Sequence, residues 1–192
     1  KKRVWQKVVQ EKINHQADLL SLVDLNDESE VIRQYSLDVR SGDSSNREAV
    51  AAKYYFSALF GNEFCRDDDT PLNAALNYGY SILMSTVAKE IVSRGYLTQT
   101  GICHRSEFNQ FNFACDLMEP FRPVVDKTIL SKFEGDFSKE LRHQLSDLVN
   151  EELPYKDGSY RLSSVISGFV QDCLNSLNKK TSVSDISSFE LS

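Results

Sequence analysis

Nowhere in the 192 residues does an apolar run approach the ~18 needed to cross a bilayer. The opening Lys1-Lys2-Arg3-Val4-Trp5 lacks the apolar core of a secretion signal, so the chain is expected to be cytoplasmic, with no membrane partner. The four cysteines, Cys65, Cys103, Cys115 and Cys173, form no CxxC pair, which argues against a zinc knuckle or disulfide framework and leaves reduced thiols. No internal repeat, Gly-rich phosphate loop, GxSxG elbow or HExxH motif is present. Positive charge is also short: 22 Lys and Arg face 28 Asp and Glu, for a net charge of −6. Phosphate binding is driven largely by Lys and Arg releasing counterions. A nucleic-acid partner would therefore need local basic patches, a metal bridging acidic residues to phosphate, or charge from a partner subunit.

What is present is enough to fold. Apolar residues make up 41% and charged residues 26%, far from the signature of disorder, and the length suits one domain or two small helical subdomains. The chain begins without Met and already within a helical pattern, since Val4, Trp5, Val8, Val9, Ile13, Ala17 and Leu20 repeat near 3.6 residues; it reads as a fragment. A second stripe, Val31, Ile32, Tyr35 and Val39, follows, then a loop at Ser41-Gly42-Asp43-Ser44-Ser45. A third helix is predicted from near Ser45 to Phe60, stopped by Gly61, with Ala52, Tyr55, Phe56 and Leu59 inward. The clearest helix has Thr70 as N-cap, Pro71 at its first position and Gly95 past its end, and is expected to be central and the most buried element.

An aromatic-rich helix is predicted through Phe108, Phe111, Phe113 and Met118, kinked or broken at Glu119 by Pro120. Further helices are expected near Ser138 to Glu152 and Leu162 to Leu177, separated by an Asp157-Gly158 turn signal consistent with a tight turn or short hairpin. The Ser-rich tail from Lys179 is expected to be mobile. The fold class is all-α, with a helical domain over 1–178 and the tail at 179–192.

Chemistry-bearing residues admit two readings each. Glu48 heads the inward stripe of its helix, where a charge needs a partner, but Ser45-Asn46-Arg47-Glu48 also matches a capping box. His104 lies in an interhelical loop, as a site residue or an ordinary surface histidine; Glu119 precedes Pro120, as a ligand or a complement to the helix dipole. Together, one imidazole and two carboxylates could hold Mg²⁺ or Mn²⁺, with Asp116 as reserve ligand or cap. Asn73 and Asn77 share a face, either orienting ligands or cross-linking helices, while Arg105 and Arg122 either clamp phosphates or pair with neighbouring carboxylates.

A resemblance is carried by successive segments: Asn46-Arg47-Glu48 with Ala52-Lys53-Tyr54-Tyr55-Phe56; Asn73-Ala74-Ala75-Leu76-Asn77-Tyr78-Gly79-Tyr80; Gly101-Ile102-Cys103-His104 with Phe108-Asn109-Gln110-Phe111-Asn112; and Asp116-Leu117-Met118-Glu119-Pro120-Phe121-Arg122-Pro123-Val124-Val125-Asp126. Strongest over 46–126, the chain resembles the catalytic domain of the CRISPR adaptation integrase family, CRISPR-associated protein Cas-one, in its type II form. Cys103 stands where many relatives have a second histidine, and Cys115 where an acidic or small residue is common. The family's N-terminal β domain, which helps build its homodimer, falls outside these residues.

The resemblance implies metal ligation by Glu48, His104 and Glu119, and joining of foreign spacer DNA 3′-hydroxyl ends to the CRISPR repeat by transesterification. It also implies a small ferredoxin-like adaptation subunit as partner and, in type II systems, the effector nuclease and a DNA-end-binding ring protein. Asn73, Asn77, Tyr78, Arg105, Asp116 and Arg122 become candidates to orient ligands or contact DNA. Two other functions fit the residues: a metal-dependent nuclease using water at the same site, and a non-catalytic helical module whose acidic face docks basic partners.

Overall fold

The computed structural model describes residues 1–191; Ser192 lies outside them. The helices are α1 (Lys2–Leu22), α2 (Asn26–Leu37), α3 (Arg47–Phe60), α4 (Pro71–Ser93), α5 (Asn112–Met118), α6 (Arg122–Lys132), α7 (Lys139–Asp147) and α8 (Leu162–Leu177). Short 3₁₀ turns lie at Ser41–Asp43, Glu119–Phe121, Leu148–Asn150 and Val183–Asp185. The one sheet among the described residues is an antiparallel hairpin, β1 (Glu152–Tyr155) and β2 (Gly158–Arg161). Its two-residue loop is Lys156-Asp157, with Lys156 at φ 54°, so Gly158 starts β2 rather than making the turn. No described helix is long and apolar enough to cross a membrane.

The spine is α1, not α4 as the capping signals suggested. Twelve of the 21 residues of α1 are buried, against nine of 23 in α4. α2, α3, α6, α8 and the Glu119–Phe121 turn all touch α1, so it has little solvent face, whereas α4 leaves Val92 exposed and Leu72, Ile82 and Met84 half-buried. The ends of α4 form as expected: the Thr70 side chain accepts from the Asn73 N–H, and Gly95 takes φ 79°. At Gly79 a Cβ would collide with Val125 of α6, so the absent side chain lets the two helices close up.

Three local expectations are corrected and one is met. The Ser45–Glu48 capping box does not form: Asp43 instead accepts the N–H groups of Arg47 and Glu48 at 2.9 and 3.1 Å, leaving the Glu48 carboxylate to pair with Lys12 of α1. Phe108 and Phe111 belong to a loop, not a helix, and are 96% and 43% exposed. Asn112 organises that loop by donating to the carbonyls of Gln99, Ser106 and Asn109, and α5 starts only there. The interruption expected at Glu119 does occur: α5 ends at Met118 and Pro120 tightens the chain into a 3₁₀ turn before α6, although Glu119 itself keeps right-handed helical angles (φ −51°, ψ −42°). The segment from Lys179 is exposed at first but packs from Ile186 onward: Ile186, Phe189 and Leu191 are buried, and Phe189 stacks on Phe121 at 5.1 Å with parallel planes.

Candidate metal and DNA site

Burial of charge locates the site. Lys12 lies on α1 among Val8, Val9 and Ile13, all fully buried, and its Nζ sits 2.8 Å from Glu48 Oε1 and 2.5 Å from Glu119 Oε2. The carboxylates at the start of α3 and in the Glu119–Phe121 turn thus meet on one ammonium. Arg122 adds a second cation, its Nε 3.3 Å from Glu119 Oε1 and its guanidinium 4.5 Å above the Tyr80 ring. Burial alone would push the Glu119 carboxyl up, but Arg122 and Lys12 outweigh it and hold it below its ordinary value. Burial likewise works against the Lys12 ammonium, and Glu119 and Glu48 outweigh it, so lysine and glutamate are both charged.

His104 is the third component, and Asp116 places it. Asp116 is fully buried; its Oδ2 accepts from the N–H groups of Ile102 and Cys103 (3.0 Å for the latter), and its Oδ1 from the His104 N–H at 3.1 Å. The same Oδ1 lies 2.6 Å from His104 Nδ1, which leaves Nε2 as the nitrogen available to a ligand. This bond to Asp116, opposed by partial burial and helped by the nearby Asp116, Glu119 and Glu48 charges, raises the His104 pKa. The Trp5 ring meets the imidazole edge-to-face at 6.2 Å. Gly101 is required here: a Cβ would collide with the His104 carbonyl and stand 2.6 Å from Asp116 Oδ2.

The expected residues fall into three groups. Glu48 and Glu119 converge, with His104 near enough for their charges to act on its imidazole. Both Asp116 oxygens are engaged by the His104 loop, the arrangement of a residue that orients the imidazole. Asn73 and Asn77 accept from the two Arg66 terminal nitrogens, and the Asn73 amide donates to the carbonyls of Cys65 and Asp68, so the pair ties down the loop before α4. Tyr78 faces α7, bonded to Ser146 at 2.8 Å with its ring on Phe137. Arg122 pairs with Glu119, whereas exposed Arg105 lines with His104 an open cleft of about 440 Å³. A larger cleft of about 620 Å³, lined by Tyr35, Val50 and Tyr54, includes none of these residues.

Sequence reasoning missed Lys12 and the network beneath it. Tyr55 and Tyr80 donate to Asp126 at 2.8 and 2.5 Å; burial nonetheless raises the Asp126 carboxyl to about 6. His15 bridges the carbonyls of Pro120 (2.8 Å) and Phe189 (3.0 Å), tying α1 to both the Glu119 turn and the C-terminal segment. The available signal was Glu11, Lys12, His15 and Gln16 interleaved with the apolar stripe of α1, where charge without a partner is costly.

Among the described residues no cluster of three His, Cys, Asp or Glu side chains is close enough to hold a metal, and the Lys12 ammonium bridges the two glutamates. The donor set still fits a hard divalent cation: two carboxylates and one imidazole nitrogen. Glu119 Oε2, buried and close to Lys12, has no aligned hydrogen-bond partner among the described residues, so that oxygen has unused acceptor capacity.

The model of the CRISPR associated protein Cas1 family matches residues 3–144. A CRISPR-associated endonuclease Cas1 of Neisseria meningitidis serogroup C is 41% identical over 157 residues, covering 81% of this chain and 52% of the relative. The chain thus spans about half the length of that relative. A chain of a partial Cas6-RT-Cas1–Cas2 complex superposes with a TM-score of 0.76 at 20% identity, covering 99% of this chain and 69% of that one. A casposase bound to integration product superposes with a TM-score of 0.74 at 21% identity, covering 93% and 61%. The shared helical fold and the family match across the Glu48, His104 and Glu119 segments carry one conclusion: the chain belongs to the CRISPR associated protein Cas1 family.

Proposed function

We propose that this chain is the helical catalytic part of a CRISPR adaptation enzyme that joins the 3′-hydroxyl ends of foreign DNA to a CRISPR repeat by transesterification, with Glu48, His104 and Glu119 holding Mg²⁺ or Mn²⁺. The observation carrying this reading is the meeting of Glu48 and Glu119, from separate elements, at a buried cationic point beside an imidazole whose free nitrogen is set by Asp116. The related structures, a casposase bound to integration product and Cas1 in complex with Cas2, favour DNA as substrate and Cas2 as the small partner subunit.

The bound cation supplies charge neutralisation at the scissile phosphate and orientation of the attacking hydroxyl. The chain's own residues prepare for it. Arg122 and Lys12 keep Glu119 ionised within a buried environment. Asp116 holds the tautomer that carries its proton on Nδ1, leaving Nε2 with a lone pair. Arg105 is the exposed cation beside this cleft, suited to a flanking phosphate. A homodimer completes the assembly in this proposal, and the small partner subunit, an effector nuclease and a DNA-end-binding ring protein would supply the positive charge that a chain at −6 lacks.

The test is product analysis with Glu48→Ala, His104→Ala and Glu119→Ala in the protein assembled with its small subunit, using labelled DNA ends and a repeat duplex. Each substitution is expected to abolish joining while circular dichroism keeps its helical signal. Release of shorter strands without joined product would instead favour hydrolysis with water as nucleophile. Unchanged joining by all three variants would reject the assignment.

A further inference from the structure

Lys12 does more in this geometry than keep Glu119 ionised. Its ammonium is 6% exposed and lies on Glu48 Oε1 and Glu119 Oε2, the acidic oxygens nearest the centre of the site. The charges already balance without a metal: Glu48 and Glu119 face Lys12 and Arg122. Two carboxylates brought together out of water repel each other and lose hydration, so an internal cation is needed to keep the metal-free arrangement compact. A divalent ion taking the same oxygens must either move that ammonium aside or bind beside it against repulsion.

We infer that Lys12 is a positioning residue, an internal counter-cation that holds the Glu48 and Glu119 carboxylates together in the metal-free chain and competes with the divalent ion for their oxygens. The inference rests on the metal-dependent reading above. Its reach is larger than packing, because it couples metal affinity to one side chain on α1 that is not itself a ligand. Loading is then an exchange of one cation for another, and the strength of the Lys12 pairing sets how readily Mn²⁺ enters.

The experiment measures Mn²⁺ affinity by calorimetry, together with thermal midpoints in chelator and in saturating Mn²⁺. It compares the wild type with Lys12→Met, Lys12→Gln, Lys12→Arg and Glu119→Gln. Lys12→Met, similar in length but neutral, is expected to bind Mn²⁺ roughly tenfold more tightly, because a like charge a few ångströms from the ion is removed. It should melt below wild type in chelator, and Mn²⁺ should close most of that gap. Lys12→Gln should shift in the same direction, and it carries the test if Lys12→Met does not fold. Lys12→Arg, which keeps the charge, should stay near wild-type affinity. Equal or weaker Mn²⁺ binding by both neutral variants would overturn the inference, as would an identical loss of midpoint with and without Mn²⁺, the mark of a packing role. If wild type binds no Mn²⁺, or Glu119→Gln binds it as wild type does, the metal reading itself fails and takes the inference with it. Wild-type binding lost in Glu119→Gln but unmoved by Lys12→Met or Lys12→Gln sinks the inference alone.

Discussion

Asp116→Asn is the sharpest probe of how the site is held. It exchanges one carboxylate oxygen for an NH₂ at a position with no solvent exposure, and each oxygen has a defined duty. If the NH₂ takes the place of Oδ2, it faces the N–H groups of Ile102 and Cys103, donor against donor, and both bonds are lost. If it replaces Oδ1, it faces the His104 N–H and Nδ1. Nδ1 could then accept only if the imidazole proton moved to Nε2, which would remove Nε2 as a ligand. Neither orientation is neutral. Hydrogen bonds to a charged group contribute about 1.5–3 kcal/mol each, so losing two costs about 3–6 kcal/mol. That is a large share of the roughly 5–15 kcal/mol of a typical domain. Altering the group behind a metal-binding imidazole also typically weakens metal binding about 10–100-fold. Urea unfolding of the metal-free protein reads the first effect and Mn²⁺ calorimetry the second. A loss under about 1 kcal/mol together with unchanged Mn²⁺ affinity would refute the role given to Asp116.

Four further outcomes are expected. Burial raises the Asp126 carboxyl to about 6, above its unfolded value of ~3.9, so the folded state holds this proton more tightly; the resulting stability is full below the unfolded value and is lost as pH rises through about 6. Asp126→Asn should flatten that part of the curve of denaturation midpoint against pH, and an unchanged slope between pH 4 and 6 would contradict it. Phe189→Ala should cost about 3 kcal/mol or more in chemical denaturation, as for a buried ring that stacks on Phe121 and His15, whereas a mobile tail would show no loss. Arg105→Ala should lower the slope of log DNA affinity against log salt by about one in the assembled complex, and an unmoved slope would remove it from the phosphate contacts. Arg122→Ala, in contrast, should also destabilise the metal-free protein, because it leaves buried Glu119 short of a cation.

Much of the helical layout was legible because helix ends are written locally. Thr70, Pro71 and Gly95 mark α4 through bonds and backbone angles within a few residues, and α8 runs over the predicted Leu162–Leu177. The same locality misled elsewhere. Ser45 and Glu48 are spaced for a capping box, yet Asp43, equally close, reaches the helix N–H groups first. Phe108 and Phe111 look like core aromatics, but Asn112 gathers the loop carbonyls and delays the helix. The tail reads as Ser-rich and mobile because the rings that hold Phe189, those of His15 and Phe121, lie far back in the chain.

By itself, then, the sequence determined the all-α class, most helix ends and the hairpin region, and through family resemblance it named Glu48, His104 and Glu119 as the candidate trio. These depend on neighbours a few residues apart or on whole motifs. Only the tertiary structure decided that α1 is the spine, that Asp116 serves His104, that Asn73 and Asn77 serve Arg66, and that Lys12 joins the two glutamates. The reason is physical. A buried charge is tolerated only where another is brought to it, and these partners are distant in sequence: 36 residues separate Lys12 from Glu48, and 105 separate His15 from Pro120. No periodicity along α1 specifies which carboxylate or carbonyl will face its polar side chains; packing of α3 and the Glu119–Phe121 turn against it does.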